Sequence, residues 1–354
     1  MNQDASASAI DAQQEKHPLT IIVGTGRCGS TMLSNLLREH PAVLSLSEFF
    51  ALLEGPKFSE EVLDASQFWT LIGIPGRQIN AMMRRGIQIA EFLYPITATS
   101  RFNLDTGIPP ILLVTLPHLT GNYENAFDEL REAVSHFPPD RVEHHYMRLF
   151  AWLKQRFKRQ VCVERSGLSL PMLPSFIRLF PEAKFVHIIR DGRECAFSMS
   201  RHVGFHLAAL AGAAKIAGER PPEQQLSPQA ASAQAMPREI PIEVFGNFWS
   251  NLLIEGVRQF AKLPQERVLT ITYEEFVAQP QASANRLITF IDPTLSSDTW
   301  TQEVATQVRA QPFTWTNLPP QQRQALEATC KPGLTLMEIA KQYGLRSKRV
   351  ADFL

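Results

Sequence analysis

The sequence predicts an α/β protein with a parallel sheet flanked by helices, and three observations predict it. Five short apolar runs with strand character recur along the 354 residues. Each is followed by a segment with helix-like spacing or content. The runs lead into Gly24, Ser47, Arg165, Asp191 and Tyr273, which places small, hydroxylated and charged residues beyond the carboxyl ends of parallel strands, where ligands of such sheets sit.

The first run, LTIIV at Leu19 to Val23, ends in glycines, and Met32, Leu33, Leu36 and Leu37 then recur at helical spacing. His40 and Pro41 stop that helix, and AVLSL from Ala42 to Leu46 reads as the second strand. VCVE ending at Glu164, KFVHIIR ending at Arg190 and RVLTIT ending at Thr272 repeat the pattern. Residues 50–160 read as a helical insertion packed near the site, with GRQINAMMRRGIQIAEFLY as its clearest amphipathic stretch. Residues 218–241, rich in Pro, Gln, Ala and Ser, bury too little apolar surface to offset ordering and read as a mobile loop or lid. Residues 1–18 read as a flexible leader, and 19–354 as a single domain.

Composition narrows the function classes. Hydrophobic residues make up 44% of the chain, and 35 basic residues balance 35 acidic ones, so no global field favours nucleic acid or an anionic membrane, and any basic site must be local. No apolar run approaches a bilayer span; IPPILLVTLPHL is short and broken by prolines. The leader lacks the apolar stretch of a signal peptide. Cys28, Cys162, Cys195 and Cys330 are scattered without a C-x-x-C pair, which disfavours a zinc site and a secreted disulfide framework. A cytoplasmic, reducing setting is the expectation.

The segment IIVGTGRCGSTML, Ile21 to Leu33, nearly spells a triphosphate-binding loop. Gly24 and Gly29 hold the spacing, but Ser30 occupies the lysine position and Arg27 is the only cation. Backbone N–H groups from Gly26 to Ser30, the positive end of the helix dipole and the hydroxyls of Ser30 and Thr31 make a nest for an anion. A glycine-rich connection that binds nothing is the plain alternative. A second constellation, KFVHIIRDGRECAFSMSRH, sets Arg190 at a strand end and Ser198 about two turns into the next helix, within reach of a second phosphate; an ion pair between Arg190 and a neighbouring acid such as Asp191 is the alternative.

These two segments, in this order, resemble the 5′-phosphosulfate loop and the 3′-phosphate segment of the sulfotransferases that use 3′-phosphoadenosine 5′-phosphosulfate (PAPS). FPEAKFVHIIRDGRECAFSMSRH is especially similar to the tyrosylprotein sulfotransferase branch, and VLTITYEEFVAQP resembles the family's later strand-end tyrosine segment. The resemblance spans about Ile21 to Ile291 and implies a P-loop-like sulfotransferase fold with PAPS as donor and no metal. It implies that Arg27, Cys28, Gly29, Ser30 and Thr31 hold the 5′-phosphosulfate, Cys28 through its backbone, that Arg190 and Ser198 hold the 3′-phosphate, and that Tyr273 lines the nucleotide pocket. Glu48 follows Arg27 by twenty-one residues, the relation the branch shows between its loop arginine and its catalytic glutamate, which implies Glu48 as general base. A cap of the next helix, or a partner for Arg27, is the alternative for Glu48. Arg165 in VERSG takes the place of the branch's lysine beside the transferring sulfuryl, a replacement that is not conservative. The arginine-lysine-glycine segment with which cytosolic members close over the 3′-phosphate is missing.

The acceptor implied is a hydroxylated small metabolite, glycan or lipid in preference to protein tyrosine. A P-loop kinase and a non-catalytic nucleotide-binding protein of the same fold are the competing readings; the missing lysine counts against the first and Glu48 against the second. His144 and His145 read as surface residues, His187 as a hydrogen-bonded core histidine, and a lowered thiol pKa is conceivable for Cys28 inside the anion loop.

Overall fold

The computed structural model describes residues 17–87, 89–97, 99–209 and 240–354. Five strands form the main sheet: β1 (Thr20–Val23), β2 (Val43–Ser47), β5 (Val161–Arg165), β6 (Lys184–Ile189) and β7 (Val268–Thr272). Their order is β2-β5-β1-β6-β7 and every neighbouring pair is parallel. The two-residue strands β3 (Val62–Leu63) and β4 (Asp140–Arg141) make a separate antiparallel pair.

β1, β2 and β5 are buried along their whole length, as central parallel strands covered on both faces are, so that even Ser45, Ser47, Glu164 and Arg165 face protein and not solvent. Their side chains alternate between two cores. Ile21, Leu44, Leu46 and Phe185 face the core that the 50–160 helices complete with residues such as Phe68, Tyr146 and Phe150. Ile22, Val43, Val163, Val186 and Ile188 face the other core. That second layer contains α1 (Ser30–Glu39), α3 (Gly192–Met199), α4 (Ile242–Phe260) and α5 (Pro320–Tyr343), while the four-residue α2 (Phe49–Leu52) follows β2 and belongs to the first. The α/β architecture with a helical insertion is as the sequence predicts, with strand limits within one residue of those expected.

The amphipathic stretch 76–94 is a correction. Its helix covers only Arg77–Arg84, because Gly86 takes φ +78 and the chain turns there, with Gly86 N–H donating to Met83 O and Ile87 N–H to Met82 O, the bonding of a Schellman stop. The chain beyond is thereby freed to run back toward the sheet. The predicted loop at 218–241 lies outside the described residues except for its last two, as does the leader up to residue 16. Among the described residues, no helix is long and apolar enough to cross a membrane.

The C-terminal region, for which the sequence offers no motif, packs α5 along α4. Trp249 of α4 is fully buried and fits between Gly192 and Gly333, where an added Cβ would collide with its ring, at 2.5 Å in the case of Gly333. Truncating Trp249 to Ala is expected to cost about 3–5 kcal/mol. Gly333→Ala gains helix propensity of about 1 kcal/mol but overpacks by about 1–3 kcal/mol, so it too should lower the denaturation midpoint. A Gly333→Ala variant more stable than the parent in denaturant titration would contradict this packing.

Candidate functional site

Strand register assembles the site. Ile22 of β1 and Ser47 of β2 are both aligned with Arg165, the last residue of β5. The loop leaving β1 and the residue leaving β2 therefore flank one arginine. Glu48 N–H donates to the Arg165 carbonyl at 2.7 Å, which pins the start of α2 to the end of β5.

The loop after β1 turns through left-handed backbone at Gly26, Arg27 and Gly29, with φ of 81, 56 and 93. Gly29 is the N-cap of α1, and an added Cβ there would come within 2.6 Å of the Tyr273 ring, so both conformation and space demand glycine. Ser30 and Thr31 open the helix, where the first amides have no intrahelical partner. The Cys28 side chain points down into the core. Burial pushes its thiol up, the Ser30 and Gly26 backbone opposing; the lowered pKa considered from sequence is corrected, since burial of the sulfur outweighs the loop's backbone donors.

Arg165 is 2% exposed and is the hub. One terminal guanidinium nitrogen donates to Glu48 and the other terminal nitrogen to the Thr31 hydroxyl, while Glu48 also accepts from Gly167 N–H at 2.8 Å. Burial lowers the Arg165 pKa to about 10, which leaves it cationic at neutral pH. Glu48 thus pairs with Arg165 and not with Arg27, and its side chain makes no helix-capping bond.

Arg190 follows β6 and stacks over Tyr273 at 4.3 Å to the ring centroid. Among the described residues its Nε is buried with no hydrogen-bond partner, and its nearest acid, Glu194, lies at 3.9 Å. Asp191 is engaged elsewhere, capping α3 and pairing with Arg193 at 2.6 Å, so the Arg190–Asp191 pair does not form. Arg27 reaches across to this side, donating from Nε to the Ser198 hydroxyl at 3.0 Å and from Nη1 to Glu91 at 3.0 Å. His202 Nε2 approaches both Glu91 oxygens at 3.1 and 3.2 Å. The His202 hydrogen bond, with Arg27 adding, holds the Glu91 carboxyl down at about 2 despite desolvation.

These groups line one cavity of about 500 Å³. Arg27, Arg165, Arg190, Lys57 and His202 face it against two acids, Glu48 and Glu91, while Leu52, Phe92, Val114 and Met172 supply apolar wall. Of the four non-glycine residues with positive φ among the described residues, Arg27, Glu48 and Leu168 belong to this lining. Left-handed backbone at non-glycine residues costs energy and persists where surrounding structure enforces it, which is characteristic of functional sites.

Ser30, Thr31 and Ser198 line the cavity as well, whereas Cys28 and Tyr273 stand behind its wall. Sequence reasoning missed Glu91, His202 and Lys57; His202 closed a quoted segment and Glu91 sat in the amphipathic stretch, but neither carried a spacing signal. Two histidine readings also change. His145 is fully buried, bonded to Leu63 O at 2.8 Å and stacked on Phe68. His187 is in the core as expected, yet among the described residues neither ring nitrogen has a partner; it packs on Phe260 and burial drops its pKa to about 3.

The model of the sulfotransferase family matches residues 139–297. This chain carries a sulfotransferase-family region. The match takes in Arg165, Arg190, Ser198 and Tyr273 and begins after Arg27 and Glu48; it bears out the family resemblance, without reaching the tyrosylprotein branch. No curated protein matches the chain. Among solved structures the chain is similar to a sulfotransferase from Alicyclobacillus acidocaldarius (17% identity, 94% of this chain and 97% of that one, TM-score 0.43). It is also similar to sulfotransferase STF9 from Mycobacterium avium (13%, 90% and 79%, 0.44) and to the sulfotransferase domain of the Synechococcus PCC 7002 olefin synthase (14%, 89% and 93%, 0.43). These likenesses are distant.

Beneath the site, Glu164 is fully buried and accepts from Ser166 at 2.6 Å, while among the described residues its Oε2 has no partner. Burial raises its pKa to about 8, the Ser166 hydrogen bond only partly opposing. The folded state then keeps a proton that the unfolded chain releases above the ordinary carboxyl range, so this group lowers stability as pH rises toward about 8. Glu164→Gln should remove that slope. Denaturant titrations at both ends of the window would show the variant gaining on the parent at the alkaline end; parallel pH profiles would contradict a buried, protonated Glu164.

Proposed function

We propose that this protein is a PAPS-dependent sulfotransferase acting on a hydroxyl acceptor, with residues 19–354 as one catalytic domain in a cytoplasmic setting. The observation that carries the reading is Glu48 held by Arg165 at the centre of a cavity that opens on the anion loop on one side and on apolar wall on the other. The family match and the fold support sulfotransferase activity.

The residues fit the donor. Among the described residues Arg190 has a buried nitrogen without a partner, Gly29 gives α1 no side-chain cap, and Arg27 and Ser198 already meet. Arg190 and Ser198 would hold the 3′-phosphate. Arg27, with Gly29, Ser30, Thr31 and the Cys28 amide, would hold the 5′-phosphosulfate, and Tyr273 would support both sides from behind Gly29 and Arg190. A sulfuryl carries less charge than a terminal phosphate, so guanidinium and amide donors suffice for it without a metal.

In the transfer, the acceptor oxygen forms a bond to sulfur as the bond from sulfur to the 5′-phosphate oxygen breaks, leaving 3′-phosphoadenosine 5′-phosphate. Glu48 takes the acceptor's proton. Arg165 fixes the carboxylate and sets positive charge beside the sulfuryl as negative charge builds. The apolar wall suits a hydroxylated metabolite or lipid better than a charged peptide.

The deciding assay incubates the protein with sulfur-labelled PAPS and pools of hydroxylated metabolites and reads the products by mass. Transfer to an alcohol or phenol supports the reading; binding of 3′-phosphoadenosine 5′-phosphate with no transfer to any pool supports the non-catalytic alternative. Glu48→Gln should lower kcat by about 10²-fold to 10⁴-fold while donor affinity persists; near-normal kcat would return Glu48 to a structural role. Arg190→Ala should weaken 3′-phosphoadenosine 5′-phosphate by about 2 kcal/mol and adenosine 5′-phosphosulfate little. Equal weakening of both in calorimetry would remove Arg190 from the 3′-phosphate.

A further inference from the structure

The cavity contains a cation that the transfer does not use. Lys57 hangs below α2 with its Nζ donating to Phe50 O at 2.7 Å and lying 5.6 Å from the Phe58 ring centroid. Its backbone is fixed as well, Tyr146 Oη donating to the Lys57 carbonyl at 2.9 Å. Among the described residues, no carboxylate comes within salt-bridge distance of the ammonium.

The two acids near enough to act on it through space are occupied. Glu54 accepts from Gln78 and Ile79 N–H at 3.0 and 2.8 Å, holding the start of the 77–84 helix. Glu164 is kept protonated near neutral pH by burial. Burial lowers the Lys57 pKa, opposed by the Glu54 carboxylate and, only where it ionises, by Glu164. A partly buried cation without an ionic partner, facing a cavity, is a site in need of an anion.

Sheet order says which ligand that anion belongs to. From β6 to β2 the strand ends present Arg190, the Arg27 loop, Arg165 and then Glu48, because the order is β6-β1-β5-β2. Lys57 is tied to α2, the helix that Glu48 leads into, and the cavity it lines with Glu48 also has Ala51, Leu52, Phe92, Val114 and Met172 in its wall. The Phe50 bond thus puts Lys57 with α2, which follows β2, and not with the ends of β1 and β6 that carry Arg27 and Arg190. One of the three ammonium N–H groups is used by Phe50 O, and the two that remain suit a single carboxylate better than a phosphate, which recruits several cations.

We propose that Lys57 is the anion-reading end of the acceptor pocket and that the acceptor is a hydroxylated carboxylic acid with an apolar body between its two polar ends. This rests on the sulfotransferase reading for the word acceptor, but the subsite itself does not. Its test is calorimetric titration of the full chain with ω-hydroxyalkanoic acids of increasing length and with their methyl esters, each with and without saturating 3′-phosphoadenosine 5′-phosphate. In the parent, at least one acid should bind about tenfold tighter than its ester. Lys57→Met should abolish that preference and Lys57→Arg retain part of it, with affinity for 3′-phosphoadenosine 5′-phosphate unchanged in both.

No acid preference in the parent overturns the proposal without recourse to any variant, and so does a preference that survives Lys57→Met in folded protein. Loss of 3′-phosphoadenosine 5′-phosphate affinity in Lys57→Met also overturns it, by moving Lys57 to the donor. An acid preference that depends on Lys57 in a protein that binds no 3′-phosphoadenosine 5′-phosphate sustains the subsite while the donor assignment fails.

Discussion

The buried guanidinium of Arg165 joins the two segments on which the proposed chemistry depends. A charge taken out of water must be met by partners in fixed geometry, and here those partners are Glu48 after β2 and Thr31 in the first turn of α1. Parallel register supplies the placement, since Arg165 ends a strand lying between β1 and β2. The anion loop and the glutamate are therefore held in one frame before any ligand arrives, which is the pre-organisation that transfer chemistry benefits from.

Charge around this hub is arranged asymmetrically. Glu164, directly preceding Arg165, is kept neutral by burial, so it does not compete with an incoming anion. Glu91 stays ionised and holds Arg27 and His202, so under the proposed reading donor binding would exchange one anion for another at Arg27. The left-handed backbone at Arg27, Glu48 and Leu168 is the conformational cost of turning these side chains into the cavity, and the two cores on either face of the sheet supply the rigidity that sustains it.

Much of this was legible in the sequence because it is local. Strand, glycine loop and helix from Thr20 to Glu39, and strand and helix from Lys184 to Met199, are written in consecutive residues, and a residue beyond a parallel strand end has few places to go. What lay beyond reach is non-local. Lys57, Glu91 and most of the apolar wall come from the 50–160 segment, and Glu91 and Phe92 follow a Schellman stop at Gly86 inside the stretch 76–94 that reads as amphipathic. His145 looked like a surface residue beside His144, yet neighbours on a helix point in different directions, and only one of the two meets solvent. The fit of Trp249 between Gly192 and Gly333 joins residues from three separate helices, and no periodicity announces it.

The central claim is that Arg165 and Glu48 act as one unit in moving a sulfuryl group. A double-mutant cycle of Arg165→Lys and Glu48→Gln, read as the rate at which labelled sulfuryl leaves PAPS for its acceptor, measures that directly. Groups acting as a unit are non-additive, so the account predicts that each single variant loses about 10²-fold or more in kcat and that the double variant is little worse than the poorer single. Multiplicative losses, or an Arg165→Lys protein with parental kcat, would contradict it.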